Sequence, residues 1–241
     1  MNQTKWEKLL ALWEKQYYFD FFVVSCLLIA LFTAIKYRRK EKVYYFFLFY
    51  ILSAFFLFPI SDIIIIFMNL NPKSHVFFIE TVNLSFALIE YIVFYTFFYP
   101  SLKSKFIKRV MSFFMAVIIV ALVTFIFKAR NHVPSLSEMR RFADILISVE
   151  LLFLGILCIV YYFGLLRKKP SINLTQSPSF WIVSGLLFYS FMIAPFFLVS
   201  EWLVYNLNHS YYFFYAIHYI SFGTLFLAIT KAFLCKKHLT T

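Results

Sequence analysis

The stretch "FIETVNLSFALIEYIVFYTFFY", residues 78–99, is apolar over most of its length, yet it contains Glu80, Asn83 and Glu90. An α-helix rises about 1.5 Å per residue, so about 20 apolar residues cross the roughly 30 Å of hydrocarbon in a bilayer. The stretch therefore predicts a transmembrane helix. Because lipid offers no hydrogen bonds, its polar side chains are expected to face other helices.

The composition of the whole chain supports the same class. Of its 241 residues 63% are hydrophobic and 14% are charged, whereas soluble domains are about 45–50% apolar. The net charge of +12 does not indicate nucleic-acid binding, because the basic residues cluster beside apolar runs, as they do when they encode membrane topology. Cys26, Cys158 and Cys235 have no CxxC spacing, so neither a disulfide framework nor a zinc site is expected.

Seven apolar runs are long enough to cross a membrane. We place them near 18–35, 43–67, 76–99, 110–127, 142–166, 179–199 and 211–234. The predicted fold is therefore an all-α, polytopic bundle of seven transmembrane helices. Residues 17–235 form one domain, and residues 236–241 form a short tail. Residues 1–16 carry tryptophan and leucine at helical spacing, which predicts an amphipathic helix lying in the membrane interface.

The connections between these runs differ in charge. Connections on one side carry 14 Lys and Arg residues, and those on the other side carry 8. Because positive loops stay in the cytoplasm, we expect a cytoplasmic C-terminus and an external N-terminus. We expect no cleavable signal peptide, since no small-residue cleavage site follows the first apolar run.

The polar residues of the third predicted span form a stripe. Glu80, Asn83, Ala87 and Glu90 fall within about 80° of one another at about 100° per residue. In the fifth span Asp144 and Ser148 share a face, whereas Glu150 points elsewhere. We take as candidate ligand-binding residues Glu80, Asn83, Glu90, Glu150, Asp62, Tyr189 and His218.

The outer half of the predicted bundle contains acids but no Lys or Arg, and His218 is the basic side chain at that depth. Three interpretations follow. The acids are protonated and join helices through hydrogen bonds, they hold a cation or an amine ligand, or they relay protons.

The sixth predicted span contains Gly185 and Pro195. A small residue such as Gly185 allows close contact between helices. A proline such as Pro195 is expected to kink its helix.

Two specific classes fit the sequence poorly. A retinal protein needs a lysine near mid-membrane, but Lys231 lies near the end of the last span. A zinc hydrolase needs three ligands, and His218 is the bundle's single histidine. We assign no catalytic residue, metal ligand or cofactor. The leading hypothesis is a sensing module with an outward-opening polar pocket for a small molecule, a lipid or a cation, acting through a partner protein. One alternative is a small transporter or an ion- or proton-conducting protein, and the other is an intramembrane lipid-processing enzyme that uses carboxylates.

Three segments carry a resemblance: "FALIEYIVFYTFFYPSLKSK" in the third span, "FADILISVELLFLGILCIVYYFGLL" in the fifth and "PSFWIVSGLLFYSFMIAPFF" in the sixth. The chain is similar to a group of uncharacterised seven-helix membrane proteins common in Bacteroidota. The resemblance implies a multi-pass protein of the bacterial cytoplasmic membrane, associated with envelope sensing or signalling. It draws attention to six positions: Glu90, Glu150, Trp181, Ser184, Gly185 and Tyr189.

Overall fold

The computed structural model describes the backbone of residues 5–37, 42–68, 72–131, 135–168, 174–206 and 211–235, and the side chains of residues 21–37, 43–58, 74, 76–127, 135, 137–166, 174–199 and 216–235. These residues form seven α-helices and a short 3-10 turn at Leu174–Gln176. The helices are α1 (Lys5–Lys36), α2 (Lys42–Met68), α3 (Pro72–Ser101), α4 (Lys105–Asn131), α5 (Leu136–Lys168), α6 (Pro178–Asn206) and α7 (Tyr211–Leu234).

Each of the seven predicted apolar runs lies within one of these helices, which confirms the all-α prediction. Most helices extend beyond their apolar run. At the start of α5 a capping box explains this extension. Ser135 N donates to Glu138 Oε2 at 2.9 Å, and Glu138 N donates to Ser135 Oγ at 3.3 Å. This cap starts the helix before the first apolar residue of the predicted span.

The N-terminal segment is continuous with the first span. Helix α1 runs without a break from Lys5 to Lys36, so most of the segment 1–16 belongs to the same helix as the apolar run. The side chains before Phe21 lie outside the described residues, and the interfacial position of this segment stays a prediction.

Five described segments are long and apolar enough to span a bilayer: Val76–Ser101, Lys105–Phe127, Ser137–Leu166, Pro178–Val199 and Ala216–Leu234. Two shorter apolar segments, Phe21–Lys36 and Val43–Phe58, lie in α1 and α2. The protein is thus a multi-pass membrane protein, and its helices contact the lipid bilayer.

Six helices form a closed ring in the order α1, α2, α3, α5, α6 and α7, with α7 packing back on α1. Helix α4 lies outside this ring, against α3 and α5. Its outer face is apolar and strongly exposed, with Phe106 74% and Phe113 70% exposed, as expected of a lipid-facing helix. Helix α5 packs on α3 and α6, so two of its faces are buried.

Aromatic side chains fill the interior of the ring. Tyr50 of α2 stacks between Phe86 of α3 and Phe226 of α7, with ring centroids 5.3 and 5.5 Å away. Phe47 and Phe94 are also fully buried. The richness in Phe and Tyr therefore serves the core as well as the lipid-facing surface, because edge-to-face and stacked rings pack tightly.

Helices α6 and α7 approach closely at Gly185. A Cβ atom placed there would lie 2.5 Å from the Cβ of Ala228, which confirms the predicted close contact. Helix α6 continues through Pro195. At its other end, Trp181 Nε1 donates to the carbonyl of Thr175 at 2.8 Å, and this bond ties the preceding connection to α6.

Candidate functional site

Two glutamates from neighbouring helices meet in the interior of the bundle. Glu90 of α3 and Glu150 of α5 are 2% and 1% exposed, and they lie close enough for their charges to interact. The burial predicted for Glu90 is confirmed. Glu150 is buried as well, although it lies on a different face of α5 from Asp144 and Ser148, because α5 packs between two helices.

The carboxyl group of Glu90 is held by one donor. Tyr50 Oη donates to Glu90 Oε1 at 2.6 Å, and stacking on Phe86 and Phe226 keeps the tyrosine ring in place. A short bond from a hydroxyl to a carboxyl oxygen is among the stronger hydrogen bonds in proteins. Tyr50 was not predicted as a site residue, since nothing in its sequence separates it from the many other tyrosines.

Glu150 lacks such a donor. Both of its carboxyl oxygens are buried without a hydrogen-bond partner among the described residues, and the same holds for Ser148 Oγ of α5 and Ser190 Oγ of α6. Buried polar atoms are paired in the great majority of proteins, and an unpaired one indicates strain, a functional role or a bound water or ion. Glu150, whose two carboxyl oxygens are both unpaired, is therefore the buried group that most needs a ligand.

Tyr189 of α6 forms a layer with Glu90, Glu150 and Tyr50 in the interior of the bundle. It is buried and lies within electrostatic reach of both Glu90 and Glu150. His218 of α7 lies next to it, with ring centroids 6.5 Å apart, and stacks on Phe222 at 5.9 Å. Its Nδ1 atom is buried without a hydrogen-bond partner in the described part of the chain.

A second polar cluster lies farther along α3. Asn83 Nδ2 donates to Glu80 Oε2 at 3.4 Å, and Arg140 Nε lies 3.8 Å from Glu80 Oε1. Asp144 is close enough to interact with Glu80 electrostatically. The expectation that the outer acids have no resident base was wrong for Glu80, because the capped start of α5 brings Arg140 onto the helix and beside α3.

The structure thus divides the predicted stripe on α3. Glu80, Ala87 and Glu90 are buried, as predicted, and Asn83 is partly buried. Glu80 and Glu90 are ten residues apart, which is roughly 15 Å along a helix. Glu80 lies beside Arg140 of α5, whereas Glu90 lies near Glu150 of α5, Tyr50 and Tyr189. His218 contacts Tyr189. The side chain of Asp62 lies outside the described residues, so its place in the site stays a prediction.

Two cavities among the described residues lie away from the glutamates. One lies against Leu151, Gly155 and Phe191 and is too narrow for a water molecule. The other is on the surface between α3 and α4. The predicted outward opening of the pocket is not tested by these cavities.

The possible ligand atoms of this layer are carboxyl and hydroxyl oxygens, and the imidazole of His218 lies beside Tyr189. Among the described side chains, no group of three or more His, Cys, Asp or Glu is arranged to hold a metal ion. Comparison with protein-family models, with curated proteins and with solved structures finds no match to this chain.

Proposed function

We propose that this protein is a membrane-embedded binding and sensing module whose ligand is a small inorganic cation held between Glu90 and Glu150. The observation that carries the proposal is the state of Glu150, which is 1% exposed and has both carboxyl oxygens unpaired among the described residues. A second carboxyl group lies close by. Two buried acids without a paired base attract positive charge from outside the protein.

The chemistry of the layer favours a small, hard cation over an organic amine. Hard cations take oxygen ligands, and the layer offers carboxyl groups and the hydroxyl of Tyr189. An amine with a carbon skeleton would also need a cavity beside these oxygens, whereas a bare cation needs only the oxygens themselves. Two carboxyl groups are also fewer than a tight transition-metal site uses, which points to weak and reversible binding.

The arrangement of helices suggests how occupancy is sensed. A cation that bridges the two glutamates draws α3 towards α5. Helix α4 packs on both of these helices, so it moves when their separation changes. The cation shifts the equilibrium between a close and a separated arrangement of α3 and α5 only if it binds one of them more tightly. A partner protein that contacts the bundle would respond to the resulting movement of α4.

The proposal includes the predicted membrane arrangement. All seven helices cross a bacterial cytoplasmic membrane, with the N-terminus outside and the C-terminus in the cytoplasm. The unequal distribution of Lys and Arg between the two sets of connections supports this orientation. Reporter fusions to each terminus test it directly, and a periplasmic signal from the C-terminal fusion would contradict it.

The binding test uses the full chain, purified in detergent, in NaCl, KCl or choline chloride at equal ionic strength. We expect a gain in unfolding free energy in one of the metal salts relative to choline, of about 1.4 kcal/mol when the cation is tenfold above its Kd. Glu150→Gln removes this gain. Glu80→Gln is the matched control, because it changes a buried carboxyl group that already has partners, and it keeps the gain.

Two results would defeat the proposal. One is equal stability in choline and in both metal salts. The other is a Glu150→Gln variant that folds and responds to the cation as the parent does.

Cation transport is the second candidate, and one observation favours it. Along α5 the buried Asp144 lies near Glu80, the buried Glu150 lies near Glu90, and the buried Ser148 lies between them in depth. Such a series resembles a cation path. Cation flux into liposomes that Glu150→Gln abolishes would favour transport, whereas binding without flux favours the sensor.

A further inference from the structure

Three basic side chains gather in an open cleft where α3 and α4 meet. The cleft has a volume of about 330 Å³, and its lining residues are Tyr99, Lys105, Lys108, Arg109 and Ser112. It lies at the end of one candidate span, Val76–Ser101, and at the start of the next, Lys105–Phe127. This position corresponds to the level of the lipid headgroups, where the hydrocarbon core ends.

The positive charge of the cleft is not balanced by any described side chain. No acidic side chain in the described part of the chain lies within ion-pair distance of Lys105, Lys108 or Arg109. The ammonium group of Lys108 lies 4.6 Å from the centre of the Tyr99 ring, which holds it beside the cleft. Three cations brought together without an acid create a site for an anion.

Hydroxyl groups are also available there. Ser112 Oγ donates to the carbonyl of Lys108 at 3.1 Å, and it lies 3.1 Å from Tyr95 Oη. These bonds position Ser112 in the wall of the cleft, where its oxygen and the basic groups form a polar lining. Lysine, arginine and hydroxyl groups together are typical of phosphate recognition.

An apolar face of α4 borders the cleft on the Arg109 side and runs towards the membrane interior. Phe106, Phe113, Val117 and Val120 are exposed, and at about 100° per residue they fall within about 60° of one another. A ligand with an anionic head and a hydrocarbon tail would use both surfaces, whereas a free anion would use the cleft alone. We propose that this cleft binds the phosphate group of an anionic phospholipid, whose acyl chain lies along this face of α4.

The test measures lipid binding to the full chain in detergent by native mass spectrometry. The probes are dioctanoyl phosphatidylglycerol, dioctanoyl phosphatidylcholine and inorganic phosphate. We expect saturable binding of the phosphatidylglycerol. A positive charge near an anionic lipid contributes about a fivefold factor in affinity, so Lys105→Gln with Arg109→Gln weakens binding about 25-fold.

The matched control removes two exposed basic groups that do not line the cleft, Lys36→Gln with Lys103→Gln. It is expected to change the affinity less than twofold. Lys105→Arg with Arg109→Lys keeps the charges at the two tested positions and is expected to keep the binding, which separates loss of charge from loss of folding.

Three outcomes would overturn the proposal. Equal weakening by the control pair would show diffuse attraction to surface charge. Equal affinity for phosphatidylcholine would show that the anionic charge is not recognised. Inorganic phosphate that competes with the phosphatidylglycerol at equal concentration would show that the ligand is a free anion instead of a lipid.

Discussion

Tyr50 of α2 donates a 2.6 Å hydrogen bond to Glu90 of α3 in a layer where Glu150 has no hydrogen-bond partner among the described residues. The two glutamates are equally deep in the protein, yet one is oriented by a rigid donor and the other is not. Glu90 therefore has a fixed orientation, whereas Glu150 is the carboxyl group that the proposed cation would pair. It also allows the roles of the two residues to be tested separately.

Tyr50→Phe keeps the ring stacking but removes the donor to Glu90. We expect a loss of about 1–3 kcal/mol in unfolding free energy, because a buried acceptor is left unpaired. Removing a group that orients a metal ligand also lowers metal affinity by about tenfold or more, so the cation response should weaken. Unfolding in mixed micelles, with and without the cation, measures both effects.

Tyr91→Phe is the control for this change. Tyr91 Oη donates to the carbonyl of Met111 at 2.8 Å, so the variant also loses a buried hydrogen bond, but not one to a glutamate. It should lose stability and keep the cation response. Equal cation responses in Tyr50→Phe and in the parent would contradict the orienting role of Tyr50.

Glu150→Met replaces the unpaired carboxyl group with an apolar side chain of similar length. In choline chloride we expect this variant to be more stable than the parent by about 1–3 kcal/mol, because replacing a buried unpaired polar group with a hydrophobic one removes its desolvation cost. The cation-dependent gain should disappear. Leu154→Met, one turn along α5 and also fully buried, is the control and should change stability by less than about 1.5 kcal/mol. A Glu150→Met protein that is less stable than the parent in choline would argue that Glu150 has a partner of its own.

The ion pair between Arg140 and Glu80 is expected to be weak. The Arg140 side chain is 49% exposed, although that of Glu80 is 6% exposed, and Arg140 Nε lies 3.8 Å from the carboxyl oxygen. A long pair with one solvated partner is expected to contribute about 1 kcal/mol or less. A double-mutant cycle with Arg140→Gln and Glu80→Gln measures the coupling free energy. It should fall as salt is raised, because salt screens exposed charges. A coupling that does not depend on salt would point to a buried hydrogen bond in place of an ion pair.

Gly185→Ala tests the contact between α6 and α7. The added Cβ would lie 2.5 Å from the Cβ of Ala228, so the helices must separate, and we expect a loss of about 1–3 kcal/mol. Ala228→Gly in the same protein should recover part of that loss. Gly164→Ala is the matched control, because nothing lies within 4 Å of its added Cβ, and it should be neutral or stabilising by up to about 1 kcal/mol. Equal losses at both glycines would show that backbone effects dominate over packing.

The sequence alone determined the helices. The apolar runs predicted seven of them, and the last matched α7, Tyr211–Leu234, at both ends. This works because a membrane helix must be apolar over a length set by the bilayer. The same constraint made the stripe of Glu80, Ala87 and Glu90 recognisable as an interior face, since lipid cannot accommodate it. The capping box at Ser135 and Glu138 was a further local signal that would have placed Arg140 on a helix.

The tertiary structure decided which side chains meet. Lipid tails are as apolar as the side chains between helices, so hydropathy and helical period do not tell which helices are neighbours. Only the closed ring brings Tyr50 of α2 to Glu90 of α3 and buries Glu150, because α5 is covered on two faces by α3 and α6. The stripe on α3 was therefore visible in the sequence, but its neighbours were not. The packing of α5 against α3 places Arg140 beside Glu80 and Glu150 near Glu90.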